Sequence, residues 1–381
     1  MRIALVDPLG YTTPYDHRLA AALAQRGHEV RLVTAPFLLD EAPEPDGYTR
    51  EELFIPISGR LLRRAPRARV RRLLKGLEYL PSVRRLVRRL DELDPGVVHL
   101  QWLVRPELDI RWLRRVARER PTVLTAHNAG PRRARALGAW REALATVDRV
   151  VVHSRRTEEK LAEQGVSRDR LALVPHPVFD SPAERELQPP SGRTMLFFGL
   201  IRRYKGLDLL VAALPRILDA VPDARLVVAG DPLEPIEPVR ELATELGVDG
   251  AIEWRLGFLP EPELEPLLAR SALVVLPYRV IESSGVLALA LGHGRPAVVS
   301  DLGAVGESVR EFGAGRAVPA EDVDALAAAC VELLTDEGAL RTTYEGALAA
   351  RRTLTWSEAA ERHERLYEQI SGQVRAGAAA S

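Results

Sequence analysis

The sequence holds a single cysteine, Cys330. No disulfide can form within the chain, and a cysteine-ligated metal site is excluded. Aromatic residues make up only 5% of it, so Leu, Val and Ala must fill any core. No apolar run approaches the roughly 18 residues that a membrane-spanning helix needs. The start, Met1-Arg2-Ile3-Ala4-Leu5-Val6-Asp7, reads as a strand, too short and too soon interrupted for a signal peptide. Net charge is absent too: 53 Lys and Arg balance 53 Asp and Glu. These absences lead us to expect a cytoplasmic protein, at most peripheral on the inner face of the membrane.

What is present is apolar mass, 46% of 381 residues, enough for two domains of ordinary size. Charge is spread unevenly. Residues 1–190 hold 34 basic and 25 acidic residues, and the remainder holds 19 and 28. Much of the excess lies in residues 60–89, where 12 basic residues meet one acid, Glu78. Such asymmetry points to two domains with different partners.

Both halves alternate short apolar runs with helical periodicity. Strands are expected at 2–6, 30–34, 97–101, 122–126, 149–153 and 171–174, with helices at 15–26, 82–93, 106–118, 132–146 and 155–164 between them. The second half repeats the alternation, with strands at 194–198, 225–229, 251–254, 272–276, 296–299 and 316–318. Gly27 and Gly165 read as helix C-caps. This pattern predicts an α/β fold with parallel sheets covered on both faces, and ligands beyond the C-terminal strand ends. The polar, Pro-rich dozen 181–192 reads as a linker between domains 1–180 and 193–355, and a last helix and tail occupy 356–381.

Two stretches carry chemistry. In Phe197-Phe198-Gly199-Leu200-Ile201-Arg202-Arg203-Tyr204-Lys205-Gly206, a buried strand runs into a basic loop, and Gly206 opens a helix. A helix N-terminus attracts phosphate; Arg202 offers a fork of donors and Lys205 a point charge. We read the loop as a diphosphate clamp, against the plainer reading of a solvated basic loop. In Leu276-Pro277-Tyr278-Arg279-Val280-Ile281-Glu282-Ser283-Ser284-Gly285-Val286, another strand ends and a second helix starts. Ser283, Ser284 and the backbone at Gly285 and Val286 can hold phosphate oxygens, though either serine is equally an N-cap. Glu282 can accept from sugar hydroxyls or be a solvated carboxylate. Glu307, expected at a further helix N-terminus, either answers the helix dipole or faces a sugar or nucleotide. No Asp-x-Asp motif is placed to hold a metal, so fixed cations would meet the charge on a departing diphosphate.

Taken together these stretches resemble the retaining GT-B glycosyltransferases, of the family 4 and group 1 kind. The likeness runs nearly end to end: Gly27-His28-Glu29-Val30, Pro175-His176-Pro177-Val178, Phe198-Gly199 to Lys205-Gly206, Gly294-Arg295-Pro296-Ala297-Val298-Val299, and Thr355-Trp356-Ser357 to Leu366-Tyr367. It implies two Rossmann-like doubly wound domains facing a deep cleft, with the last helix crossing back to the N-terminal domain. It implies a UDP- or GDP-sugar donor on the C-terminal domain, an acceptor on the N-terminal one, and no cofactor or metal. Arg202 and Lys205 would hold the diphosphate, Glu282 through Val286 would face sugar and phosphate, and His127 would contact the donor sugar or position the acceptor. His127 is alternatively a structural cap of its strand end. Gly10 would approach the phosphates, and the Gly257-Phe258-Leu259 turn would meet the base. The family's Glu-x7-Glu spacing is broken, since Ala290 stands at the second position. A sugar-nucleotide epimerase and a non-catalytic nucleotide-sugar-binding subunit are the rival readings.

Residues 60–89 alternate Leu and Val with Arg at helical spacing. That fits an amphipathic helix packed on its own domain, one resting on anionic lipid, or one binding an acidic acceptor. Nucleic acid is not expected, because no interleaved aromatics or recognition motif accompany the charge.

Overall fold

The structure, a computed structural model, describes residues 1–37, 42–56, 69–131, 136–179, 187 and 189–379, without the side chains of 69–75 and 373–379. The chain divides into two compact units, Met1–Pro175 with Trp356–Ser381, and His176–Thr355. The division falls five residues before the expected end of the first domain. The expected linker lies largely outside the described residues, but Leu187 is docked on the second unit, where Tyr344 Oη donates to its carbonyl at 2.9 Å.

The first unit runs β1 (Arg2–Asp7), α1 (Thr13–Gln25), β2 (Glu29–Thr34), β3 (Thr49–Glu52), α2 (Arg69–Leu93), β4 (Val97–Leu100), α3 (Pro106–Glu119), β5 (Thr122–Thr125), α4 (Leu137–Thr146), β6 (Arg149–Val152), α5 (Arg155–Glu163) and β7 (Leu171–Leu173). Its sheet is parallel, in the order β3-β2-β1-β4-β5-β6-β7. Every residue of β4 and β5 is buried, as strands covered by helices on both faces require. The helices follow from local signals. In α3, Pro106 takes the first position, Glu107 and Asp109 fill the first turn, and Arg118 the last. Its stripe of Ile110, Trp112, Leu113 and Val116 is buried. Burying each such apolar side chain contributes about 1.5–3 kcal/mol.

The second unit runs β8 (Thr194–Phe198), α6 (Leu207–Ala220), β9 (Arg225–Gly230), α7 (Glu237–Glu245), β10 (Ile252–Leu256), α8 (Glu261–Arg270), β11 (Leu273–Leu276), α9 (Gly285–Gly292), β12 (Ala297–Ser300), α10 (Gly303–Phe312), β13 (Gly315–Val318), α11 (Val323–Thr335) and α12 (Glu337–Thr353). Its parallel sheet has the order β10-β9-β8-β11-β12-β13. The last helix, α13 (Trp356–Ala379), belongs to the first unit and buries Ala359, Ala360, Tyr367 and Ile370. There Tyr367 Oη meets His99 Nδ1 at 2.6 Å.

Several elements differ from expectation. Strand β3 has no apolar alternation; it is a polar edge strand, held by register with β2 and by Glu51, which pairs with Arg31 and Arg89. Helix α2 starts at Arg69 rather than Ser82 and carries Pro81 in its interior. The expected helix 132–146 is seen from Leu137, and its first residues fall partly outside the described ones. The chain does contain one Asp-x-Asp spacing, Asp322-Val323-Asp324. Asp322 caps α11 by accepting from Ala325 N at 2.9 Å, and Asp324 is paired with Arg216.

Candidate active site

In both sheets the strand order reverses beside the first strand, and open parallel sheets bind ligands at that switch point, beyond the carboxyl ends. In the second unit the reversal lies between β8 and β11. The two stretches singled out in the sequence are the loops that leave those two strands.

The β8 loop makes a short 3-10 turn at Arg203–Lys205 and enters α6 through Gly206. Gly206 has φ +70, and a Cβ there would stand 2.0 Å from the Pro277 carbonyl oxygen of the facing loop. Only glycine fits both demands. Lys205 is 6% exposed. Its ammonium lies beside Gly199, where an added Cβ would meet Nζ at 2.9 Å and Val286 Cγ2 at 3.1 Å. It also lies 5.9 Å from the Tyr278 ring centroid. No carboxylate pairs with it among the described residues. Burial, and then the neighbouring Arg202 charge, lower its pKa from 10.5 to about 8. Arg202 itself is exposed, with no ion-pair partner among the described residues.

Across the switch point, Ser284 caps α9, accepting from Leu287 N at 3.3 Å, and its hydroxyl meets Tyr278 Oη at 3.2 Å. The first two N–H groups of α9, on Gly285 and Val286, have no partner within the helix. Glu282 and Ser283 are half-buried just before it. The Glu282 carbonyl accepts from Ala304 N at 2.6 Å, which ties this loop to the start of α10. For Glu307 the dipole reading is corrected: α10 begins at Gly303, so Glu307 lies in the second turn, past the reach of the end dipole. The N-terminus of α6 is likewise not open, because Asp208 fills its first turn.

That carboxylate belongs to a brace which the sequence reading missed. Arg279 forks onto Asp208 at 2.8 and 2.7 Å, donates to the Arg203 carbonyl at 2.8 Å, and reaches Glu321 at 3.1 Å. The backbone N–H of Arg279 donates to the Tyr204 carbonyl at 2.8 Å. The β11 loop therefore holds the β8 loop in place. Burial favours protonated Asp208, but the Arg279 bonds outweigh it and hold the carboxyl below its usual range. Gly257, Phe258 and Leu259 follow β10 at the edge of the sheet; Gly257 N donates to Gly230 O at 2.9 Å, and Phe258 is exposed.

The first unit's switch point, between β1 and β4, is chemically different. Gly10 lies in the turn after β1, at φ +61. Beneath it Asp7 and Asp16 are fully buried and share a hydrogen bond, and burial raises both carboxyls, Asp16 further by the charge of Asp7. A cavity of about 360 Å³ is lined by Tyr11, Gln101, Trp102, Arg105, His127 and Asn128 among others. The Trp102 ring stacks on His127 at 5.0 Å, and Tyr11 meets Trp102 edge-on at 5.5 Å. His127 Nε2 lies 3.0 Å from the Gln101 side chain and its Nδ1 lies 3.3 Å from His153 Nε2. The family resemblance was the signal for His127; Gln101 and His153 close expected strands in the same way but matched nothing in it.

Comparison with known proteins bears on both units. The sequence profile described as Glycosyltransferase Family 4 matches residues 15–180, and that described as Glycosyl transferases group 1 matches 192–336. A phosphatidyl-myo-inositol mannosyltransferase of Mycobacterium leprae is 31% identical, over 97% of each chain. A GDP-mannose:glycolipid 4-beta-D-mannosyltransferase of Xanthomonas campestris is 32% identical over 46% of this chain and 49% of its own. Among solved structures, a sucrose-phosphate synthase from Thermosynechococcus elongatus superposes with TM-score 0.76 at 20% identity, over 98% of this chain and 100% of that one. An Anabaena protein in complex with UDP gives 0.71 at 16%, over 97% and 100%. These last two likenesses speak to fold. With family profiles on both sheets and that relative matched along its length, the chain belongs to the GT-B glycosyltransferases of family 4 and is a glycosyltransferase.

Proposed function

We propose that the second unit binds a UDP- or GDP-sugar at its switch point, and that the protein moves the sugar to an acceptor hydroxyl with retention and without a metal. The observation that carries this reading is Lys205: a buried ammonium with no carboxylate partner among the described residues, between two loops braced on each other. Burying an unpaired charge is costly, and a diphosphate is the partner that would repay it. Arg202 adds a fork of donors, and the N–H groups of Gly285 and Val286, which have no partner within α9, add more. In the proposed step, the bond from the anomeric carbon to the phosphate oxygen breaks. The acceptor oxygen bonds to that carbon on the same face, and the acceptor proton passes to the departing phosphate oxygen. Fixed cations lower the barrier because charge grows on that oxygen. Glu282 and Ser283 are read as sugar contacts, Gly257–Leu259 as the base turn, and His127, with Gly10, as a first-unit contribution.

The relatives' names supply the substrate classes to try first: a mannose donor such as GDP-mannose, and a lipid-linked acceptor. A thermal-shift panel of sugar nucleotides, followed by hydrolysis and transfer assays on whichever stabilises, tests the reading. We expect one donor class to raise the melting temperature and to turn over. Conversion of the donor without acceptor would favour an epimerase, and binding without turnover a non-catalytic subunit.

A lipid-linked acceptor accords with residues 60–89 as a membrane-facing segment. Its first part lies outside the described residues. In the described part Leu77 and Leu80 are exposed on α2, as are Arg84, Arg85 and Arg88. Flotation with liposomes should depend on anionic lipid; indifference to lipid charge removes the proposal. Among the described residues no helix is long and apolar enough to cross a membrane.

A further inference from the structure

We propose that His153 is a positioning residue: it accepts a hydrogen bond from His127 Nδ1–H and so fixes the His127 ring with Nε2 turned to Gln101 and the cavity. The inference rests on the reading of His127 as part of the reacting site.

Donors and acceptors settle which nitrogen carries each proton. His153 Nδ1 lies 2.8 Å from the Val174 carbonyl. A carbonyl only accepts, so that nitrogen carries a proton. His153 is buried, and burial lowers its pKa to about 4, so the ring is neutral near pH 7. Its Nε2 therefore offers a lone pair. The atom facing that lone pair at 3.3 Å is His127 Nδ1, which must donate. A free histidine has no such constraint on its tautomer.

The consequence is that Nε2 becomes the nitrogen of His127 open to change. It faces Gln101 Oε1 at 3.0 Å, which accepts from a protonated Nε2, and the amide turned about its last bond presents its NH2 to an unprotonated one. An amide has a donor and an acceptor, so Gln101 can meet Nε2 with or without its proton. The ring plane is held as well. Trp102 stacks on His127 with an interplanar angle of 16°, and Tyr15 stands edge-on at 5.3 Å. Tyr15 also braces His153 edge-on at 5.6 Å. Val174 follows β7 and His153 follows β6, so the tautomer is set from the backbone of the sheet inward. A metal-bound histidine has its ring and tautomer set by an outer partner of this kind, and His153 does the same for His127.

The test uses the full-length protein with nitrogen-15 in its histidine rings, the His127 signals being assigned by their loss in His127→Gln. In the wild type, His127 should show a protonated Nδ1. In His153→Leu the ring should shift toward the Nε2–H form common in free histidine, and kcat should fall about 10- to 100-fold while the donor KM moves little. His153→Gln, whose side-chain oxygen can stand where the Nε2 lone pair was, should restore both the tautomer and kcat to within about 3-fold. An unchanged His127 tautomer in His153→Leu overturns the proposal. So does a His153→Gln as slow as His153→Leu at an equal melting temperature, which would mark a packing role alone. Wild-type transfer by His127→Ala would instead overturn the catalytic reading while leaving the hydrogen bond standing, so the two failures are told apart.

Discussion

The two units share one topology and differ in what they put at the same place. Both sheets order their first four strands alike, so each has a switch point between its first and fourth strands. In the second unit that point holds a buried ammonium and an exposed guanidinium, with helix N–H groups across from them. In the first unit it holds a protonation-sharing carboxyl pair, a neutral buried histidine and stacked aromatic rings around a cavity. The first set can answer the charge of a diphosphate; the second offers no fixed cation of that kind. A ring polyol suits the stacked rings and amides. The fold supplies the address in both units, and the strand-end residues decide who is received.

The sharpest way to break the contrast is to remove the cations. Lys205→Ala or Arg202→Ala should cut kcat/KM by about 100-fold or more, measured with saturating acceptor. Near-normal rates in both would leave the second unit with no more claim on the diphosphate than the first. A smaller effect is expected at the brace. Arg279→Ala removes the side-chain ties to Asp208 and the Arg203 carbonyl and leaves the backbone bond to Tyr204, and kcat/KM should fall about 10-fold. Wild-type kinetics would show that the loops need no such tie.

Charge state sharpens the same contrast. Donor affinity should weaken as pH rises through about 8, where Lys205 loses its proton, and Lys205→Arg should flatten that dependence because a guanidinium stays charged. A wild-type profile flat from pH 7 to 9 would contradict it. In the first unit the pKa shifts run upward instead of downward. Asp7 and Asp16 have raised folded pKa values, so the native state holds more protons than the unfolded one. Stability they confer is present at low pH and lost as pH rises above the usual carboxylate range near 4. Asp16→Asn keeps a donor toward Asp7 and removes one charge. It should raise the melting temperature at pH 7 by about 3 °C and reduce the loss between pH 4 and 7. An unchanged melting profile would mean the pair is not strained.

Much of this was legible in the sequence because it is local. The run Met195–Phe198, its stop at Gly199 and the helix after Gly206 lie within about a dozen residues. Apolar periodicity reports them directly. Ser284 gave two readings, cap and phosphate contact, and the structure has it capping α9. What the sequence hid is non-local. Arg279 was visible as a letter, but its partner Asp208 is 71 residues away and the Arg203 carbonyl is 76 away. His153 closes a buried run and carries no periodic signal, so only its neighbours give it meaning. Strand β3 escaped because a polar edge strand obeys pairing rather than burial. The helix carrying Glu307 starts two residues earlier than expected, because the start of a helix is the least certain thing a sequence states.

The most direct test is calorimetric titration of GDP and UDP into the wild type and into Lys205→Met at pH 7. The account predicts that the wild type binds at least one of them, and that Lys205→Met binds it at least about 10-fold more weakly while melting no lower, since an unpaired buried charge has gone. Equal affinity in the two proteins, with both correctly folded, would contradict it.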